Sequence, residues 1–108
     1  MPYFALTYDT VVDYVERRTA FRDDHLAAAS ESAARGELLL GGAFADPVDY
    51  ALLVFRAPDA AVVEAFARSD PYVVNGLVRH WEVRQWNVVV GAAFDGTSSP
   101  SPREHTSG

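Results

Sequence analysis

Two side chains in this sequence are suited to moving a proton: the imidazole of His25 and the carboxylate of Asp70. An imidazole exchanges protons near neutral pH, since the ordinary pKa of a histidine is about 6.5. A carboxylate that accepts a hydrogen bond from one ring nitrogen fixes the tautomer and the orientation of the imidazole. If the fold brings the two side chains together, the pair predicts general acid–base chemistry.

His25 lies in a segment whose composition predicts a helix over residues 19–35. At about 100° per residue, the apolar side of that helix is formed by Phe21, Leu26, Ala29 and Ala33. His25 and Arg22 fall in the same sector, and Arg18 joins them if the helix begins earlier. Cations inside a core-facing stripe break the binary pattern of a helix, which is typical of a site.

Asp70 is followed by Pro71, and a residue before proline is disfavoured in the helical region. A helix should therefore end here, and an Asp cap with proline in the first position should start another helical turn. Both candidates also have a structural interpretation, because a histidine on a helix is often a packing residue and Asp before Pro often only a cap. The residues alone leave both interpretations open.

Missing residue types exclude several chemistries. The chain has no Cys, so disulfides, thiolate nucleophiles and iron–sulfur clusters are excluded. All nine basic residues are Arg, which excludes Schiff-base lysines and the phosphate-binding lysine of a P-loop. The three histidines His25, His80 and His105 are scattered along the chain and give only a weak signal for a metal site, so we expect no metal. Gly41-Gly42 lies within a predicted strand and indicates a bulge or a close ligand rather than a phosphate loop, and we expect no cofactor.

The composition is that of one globular domain, with 49% hydrophobic and 22% charged residues. A net charge of −6 without a basic stripe makes nucleic acid and anionic membranes poor partners. The N-terminal residues resemble neither a signal peptide nor a membrane span, so we expect a soluble cytoplasmic protein. We expect the domain to cover residues 1–95 and the polar residues 96–108 to form a disordered tail.

Hydrophobic periodicity and turn residues predict six elements in the order βαββαβ. The first helix ends at Gly36, Asp59 caps the second, and the last strand carries a bulge near Gln85. The predicted strands are 3–8, 37–44, 50–56 and 80–91. This order predicts an α+β domain of the ferredoxin-like type with an antiparallel sheet.

The strand over 50–56 is apolar on both of its faces. Two helices cover only one face of a four-stranded sheet, so the other face needs a second cover. The simplest cover is the same sheet of another subunit, and we expect a homodimer packed sheet to sheet.

Five segments together resemble the YciI-like (YCII-related) family: VERRTAFRDDHLA (15–27), RGELLLGGAF (35–44), ALLVF (51–55), SDPYVVNGLV (69–78) and WEVRQWNVVVG (81–91). The resemblance implies a ferredoxin-like dimeric α+β barrel with an active site on a His and an Asp, which match His25 and Asp70. Arg18 matches a basic residue ahead of the His and is a possible anion contact, as is Arg22 from the helix pattern. Ser69 and Tyr72 flank the Asp-Pro and are further candidates for substrate binding.

Some members of the family act as lyases that eliminate chloride from a lactone, and the related barrel includes muconolactone isomerases. The first hypothesis is therefore a cofactor-independent enzyme that transfers protons on a small carbonyl or lactone-type molecule, by elimination or isomerisation. The alternative is a non-catalytic module that binds a small molecule or a partner enzyme through the same pocket. A cofactor-free monooxygenase is a third possibility that no residue favours.

Overall fold

The computed structural model describes residues 1–92. The strands are β1 (Tyr3–Thr10), β2 (Leu38–Ala43), β3 (Tyr50–Arg56) and β4 (Val78–Trp86). The helices are α1 (Tyr14–Arg18), α2 (Arg22–Ala34), α3 (Ala60–Ser69) and the single turn α4 (Pro71–Val74), and a 3-10 turn over Thr19–Phe21 joins α1 to α2. Within residues 1–92 no helix is long and apolar enough to cross a bilayer.

The four strands form one antiparallel sheet in the order β2-β3-β1-β4. β1 and β2 lie on either side of β3, and β3 and β4 lie on either side of β1. The two central strands therefore come from different halves of the chain. This topology confirms the ferredoxin-like α+β prediction. Residues 96–108, predicted to be a tail, lie outside the described residues.

Alternating residues of the central strands build the core. Phe4, Leu6 and Tyr8 of β1 are at most 4% exposed, and they pair with Phe55, Leu53 and Ala51 of β3, which are also buried. Val63 and Ala67 of α3 are fully buried in the same cluster. The core therefore lies between the helices and one face of the sheet, and Tyr8 carries its hydroxyl into that layer.

The predicted helix ends follow from local hydrogen bonds. Gly36 has φ +80°, and its N–H donates to the Ala33 carbonyl while Glu37 N–H donates to Ser32, which closes α2 in a Schellman motif. Asp59 accepts from the N–H groups of Ala61 and Val62, as expected of an N-cap. Residues close in the chain therefore decide where α2 ends and where α3 begins.

The inward face of α2 differs from the prediction. Leu26 is 44% exposed and Ala33 is also exposed, whereas Ser32 is buried. The side toward the sheet is occupied by Phe21, His25, Ala28, Ala29 and Ser32. The alanine-rich sequence contains too few large apolar residues to define a face by periodicity, so tertiary contacts set the rotation of the helix.

The last strand also differs from its predicted bounds. It ends at Trp86 because Trp86 pairs with Tyr3, the first residue of β1, and no partner strand extends further. The bulge lies at the start of the strand rather than near Gln85: Asp9 pairs with His80 and Thr10 with Val78, so Arg79 is the extra residue. The Arg79 guanidinium donates to the Asp9 carboxylate at 2.9 Å and stabilises this irregular end.

Candidate active site

Asp70 occupies the break between α3 and α4, in extended backbone with ψ 124°. Pro71 excludes Asp70 from the helix, and the Asp70 carboxylate then caps α4 by accepting the Tyr72 N–H at Oδ1, at 3.0 Å. The side chain is completely buried. Buried carboxylates need several donors, and a single cap bond does not satisfy this one.

His25 supplies a second bond to the same carboxylate. Its Nδ1 lies 2.8 Å from Asp70 Oδ1, and its side chain is 15% exposed. An ionised carboxylate only accepts hydrogen bonds, so Nδ1 carries the proton that is donated to Asp70. In the neutral ring Nε2 is then the basic nitrogen, and it has no hydrogen-bond partner among residues 1–92.

Tyr8 completes the set of donors, and sequence reasoning missed it. Its hydroxyl donates to Asp70 Oδ2 at 2.6 Å, from the centre of β1. The available signal was its position in the inward-facing series with Phe4 and Leu6, since a tyrosine buried there needs a partner for its hydroxyl. Tyr8, Asp70 and His25 thus form a continuous hydrogen-bonded row from the core to the edge of a cavity.

The ring of Tyr72 holds the imidazole from the side. The Tyr72 and His25 rings are stacked with their centroids 3.9 Å apart and an interplanar angle of 9°. Tyr14 packs edge-on against Tyr72 at 5.6 Å, and the Arg18 guanidinium lies 5.3 Å from the Tyr14 ring centre. The orientation of His25 is therefore set by a hydrogen bond in its plane and a stack on its face.

A cavity of about 220 Å³ opens in front of this row, between α2 and the sheet. The polar side of the cavity is formed by two arginines, one histidine and three tyrosines: Arg18, Arg22, His25, Tyr8, Tyr14 and Tyr72. The remaining lining residues are apolar or glycine: Leu26, Ala29, Leu38, Gly41, Gly42, Ala43, Ala51 and Leu53. Gly41 faces the helices, and a Cβ there would lie 3.3 Å from Leu53 Cγ, so glycine keeps this wall of the cavity open.

The structure does not bring every candidate to the cavity. Five of the predicted site residues lie in or directly against the cavity: His25, Asp70, Arg18, Arg22 and Tyr72. The hydroxyl of Ser69 instead donates to the carbonyls of Ala65 and Phe66 on the exposed end of α3, and Ser69 is not a lining residue. Exposed His80 belongs to β4, and His105 lies outside the described residues. Among residues 1–92, no three His, Asp or Glu side chains converge as a metal site.

Burial and the charge of Asp70 raise the pKa of the Tyr8 hydroxyl far above its ordinary value of 10. Below pH 10 the Tyr8 hydroxyl keeps its proton in both the folded and the unfolded chain, so its full contribution to the free energy of unfolding is present. Above pH 10 only the unfolded chain ionises, and stability falls by about 1.4 kcal/mol per pH unit for one such tyrosine. We expect urea unfolding to show this loss between about pH 10 and 11.

Tyr8→Phe removes the titrating group and should make that slope less steep by about 1.4 kcal/mol per pH unit. Tyr50→Phe is the matched control, since Tyr50 is on the opposite face of the sheet and 37% exposed. An unchanged slope in Tyr8→Phe would contradict the assignment of the alkaline transition to Tyr8.

The sequence matches the YCII-related domain over residues 1–87. The chain belongs to the YCII-related family. No curated protein matches this YCII-related protein. Membership agrees with the resemblance carried by the helix of His25, the glycine pair and the Asp-Pro-Tyr segment.

Solved structures share the fold of this YCII-related protein. The 5-chloro-2-hydroxyhydroquinone dehydrochlorinase TftG of Burkholderia phenoliruptrix, solved with 2,5-dihydroxybenzoquinone, is 20% identical with a TM-score of 0.68, over 79% of this chain and 93% of that one. A protein of Agrobacterium tumefaciens is 15% identical with a TM-score of 0.53, over 81% and 92%. A NIPSNAP domain protein of Burkholderia xenovorans is 18% identical with a TM-score of 0.51, over 87% and 97%. At these identities the similarity establishes the fold.

Proposed function

We propose that this YCII-related protein is a cofactor-independent enzyme that transfers protons on a small carbonyl or lactone-type molecule, by elimination or isomerisation. The observation that carries the proposal is the 2.8 Å contact between His25 Nδ1 and the buried Asp70 carboxylate, at the wall of a cavity. It leaves Nε2 as the basic nitrogen on a ring that faces the cavity.

In this mechanism Nε2 of His25 removes a proton from the substrate. In an isomerisation it returns the proton to another carbon, and in an elimination the proton passes to the leaving group or to solvent. Asp70 holds the ring in the productive tautomer and stabilises the imidazolium that forms. Catalysis of this type contributes on the order of 100- to 10,000-fold. The substrate therefore has to carry an activated hydrogen, such as one on the carbon next to a carbonyl group.

The charges around the cavity favour a substrate with a negative group. Neither Arg18 nor Arg22 forms an ion pair with a carboxylate within residues 1–92, and Asp70 is occupied by its three donors. An apolar cavity of about 150 Å³ holds a benzene ring, so about 220 Å³ suits one small ring with substituents. The complex of TftG with 2,5-dihydroxybenzoquinone supports a ligand of this size.

Deuterium exchange provides a direct test. Lactones and other activated carbonyl compounds, including 2,5-dihydroxybenzoquinone, are incubated with the protein in D₂O and followed by ¹H NMR. An enzyme that moves protons through His25 incorporates solvent deuterium into a compound or converts it. Binding without exchange or conversion across the series favours the second candidate, a binding module, which the two arginines without carboxylate partners also suit.

We also propose that the open face of the sheet packs against a second copy of the chain. Leu40 and Trp86 on that face are 72% and 48% exposed, and Tyr50 and Leu52 of β3 lie on the same face. A twofold axis places the same apolar patch against itself. We expect light scattering to give twice the chain mass, and Leu40→Arg to reduce it to that of one chain. Val74→Arg, at an exposed position of α4 away from this face, should leave the dimer intact.

A further inference from the structure

The hydroxyl of Tyr72 is buried, and its proton has no acceptor among residues 1–92, because the neighbouring Arg22 guanidinium can only donate to it. The residue is only 2% exposed, and its ring is packed on both the imidazole of His25 and the edge of Tyr14. A phenylalanine would make the same ring contacts without burying a polar group, which costs free energy when it lacks a partner. Packing therefore accounts for the ring of Tyr72 but not for its hydroxyl.

Tyr72 and the proposed base, His25, are held by the same carboxylate oxygen. The backbone N–H of Tyr72 and the Nδ1 of His25 both bond Asp70 Oδ1, and the two rings then run parallel along the same cavity. Arg22 and Arg18 are the cations that act on the hydroxyl, and each lowers the pKa of Tyr72. Burial is the largest effect and Tyr14 adds to it, so the pKa of Tyr72 is raised overall and the group keeps its proton.

We propose that the Tyr72 hydroxyl is a catalytic residue that donates a hydrogen bond to the carbonyl oxygen of the substrate while Nε2 of His25 takes a proton from the adjacent carbon. The inference rests on the proposed function and deepens it. The C–H electron pair forms a carbon–carbon double bond, the carbonyl π pair moves to oxygen, and Tyr72 with Arg22 stabilises the resulting enolate. In an isomerisation the enolate regains the proton of His25 at another carbon. In an elimination it expels from the β carbon a leaving group, which takes the bonding electron pair, and His25 releases its proton to that group or to solvent. Neither route needs an oxidant or a reductant.

This assignment narrows the substrate class to enolisable ketones and lactones of one ring. Their oxygen must lie at the end of the cavity where Tyr72 and Arg22 meet, and their acidic carbon must lie at His25. An ester or ketone without a hydrogen on the adjacent carbon would bind but would not react.

The probe for the test is 4-nitrophenolate, a stable single-ring oxyanion whose absorbance reports binding. We expect the wild-type protein to bind it and Tyr72→Phe to bind it about tenfold or more weakly, because a hydrogen bond to a charged group is lost. Tyr50→Phe, on the opposite face of the sheet, should bind it as the wild type does. Tyr72→Phe should also melt close to the wild-type temperature, since it keeps the ring contacts and removes a buried hydroxyl whose proton has no acceptor among residues 1–92.

A Tyr72→Phe variant that binds the phenolate as tightly as the wild type would overturn the inference, and so would a wild-type protein that does not bind it at all. A lower melting temperature with unchanged affinity would instead assign Tyr72 a structural role. Deuterium exchange that depends on His25 but not on Tyr72 would leave the proposed function standing without this inference. Deuterium exchange that proceeds as fast without His25 and without Tyr72 as in the wild type would contradict the proposed function itself.

Discussion

His25→Gln is expected to lower kcat on a substrate identified by deuterium exchange on the order of 100- to 10,000-fold, with little change in KM. Glutamine retains a polar side chain whose amide can still donate to Asp70, but it cannot take up a proton at neutral pH. The chemical step loses its base while the cavity, Arg18 and Arg22 remain in place. Steady-state kinetics of the variant measure the effect.

His80→Gln is the matched control, because His80 lies exposed on β4 and pairs with Asp9 away from the cavity. Its kcat should equal that of the wild type. If His25→Gln turned over its substrate at the wild-type rate, His25 would be a packing residue and the acid–base mechanism would be wrong. A protein that binds ligands equally well with and without His25, and converts none of them, is a binding module.

Asp70→Ala is expected to lower the free energy of unfolding by about 3 kcal/mol. The fully buried Tyr8 hydroxyl and the Tyr72 N–H both lose their acceptor, and each unpaired buried donor costs about 1–3 kcal/mol. The cap of α4 and the partner of His25 Nδ1 are lost in the same substitution. Urea denaturation followed by circular dichroism measures the change.

Asp59→Ala separates the cap from the buried network. Both aspartates cap a helix, but Asp59 is exposed and bonds only the N–H groups of α3. Its replacement should cost about 1 kcal/mol, the ordinary value for an N-cap. Equal losses in the two variants would show that the bonds from Tyr8 and His25 to Asp70 contribute nothing to stability.

Local signals were enough to predict most of the fold. Gly36 closes α2 and Asp59 opens α3 through bonds to neighbouring residues, so these ends are encoded within a few positions of the chain. The ambiguity lay where local signals are weak. The helix predicted over 19–35 is preceded by a separate short helix, α1, and the alanine-rich α2 leaves Leu26 44% exposed instead of packing it in the core.

Long-range pairing decided the remaining boundaries. The run of valines after Trp86 has strong β propensity, yet β4 ends there because β1 begins at Tyr3. The bulge lies at Arg79, where an ion pair with Asp9 stabilises it. A strand needs a neighbour, and the length of that neighbour is not readable from the strand's own residues.

For the candidate site, residue types and local patterns were sufficient to identify the two groups that could transfer a proton. They placed a histidine on the first long helix and an aspartate at a helix break that Pro71 enforces, and the family resemblance joined them. Three contacts could be read only from the folded chain: His25 Nδ1 with Asp70 Oδ1, the Tyr8 hydroxyl with Asp70 Oδ2, and the Ser69 hydroxyl with carbonyls of its own helix. The physical reason is that a helix cap is satisfied by residues two or three positions away, whereas a buried carboxylate collects its other donors from whichever strands and helices the sheet topology brings beside it.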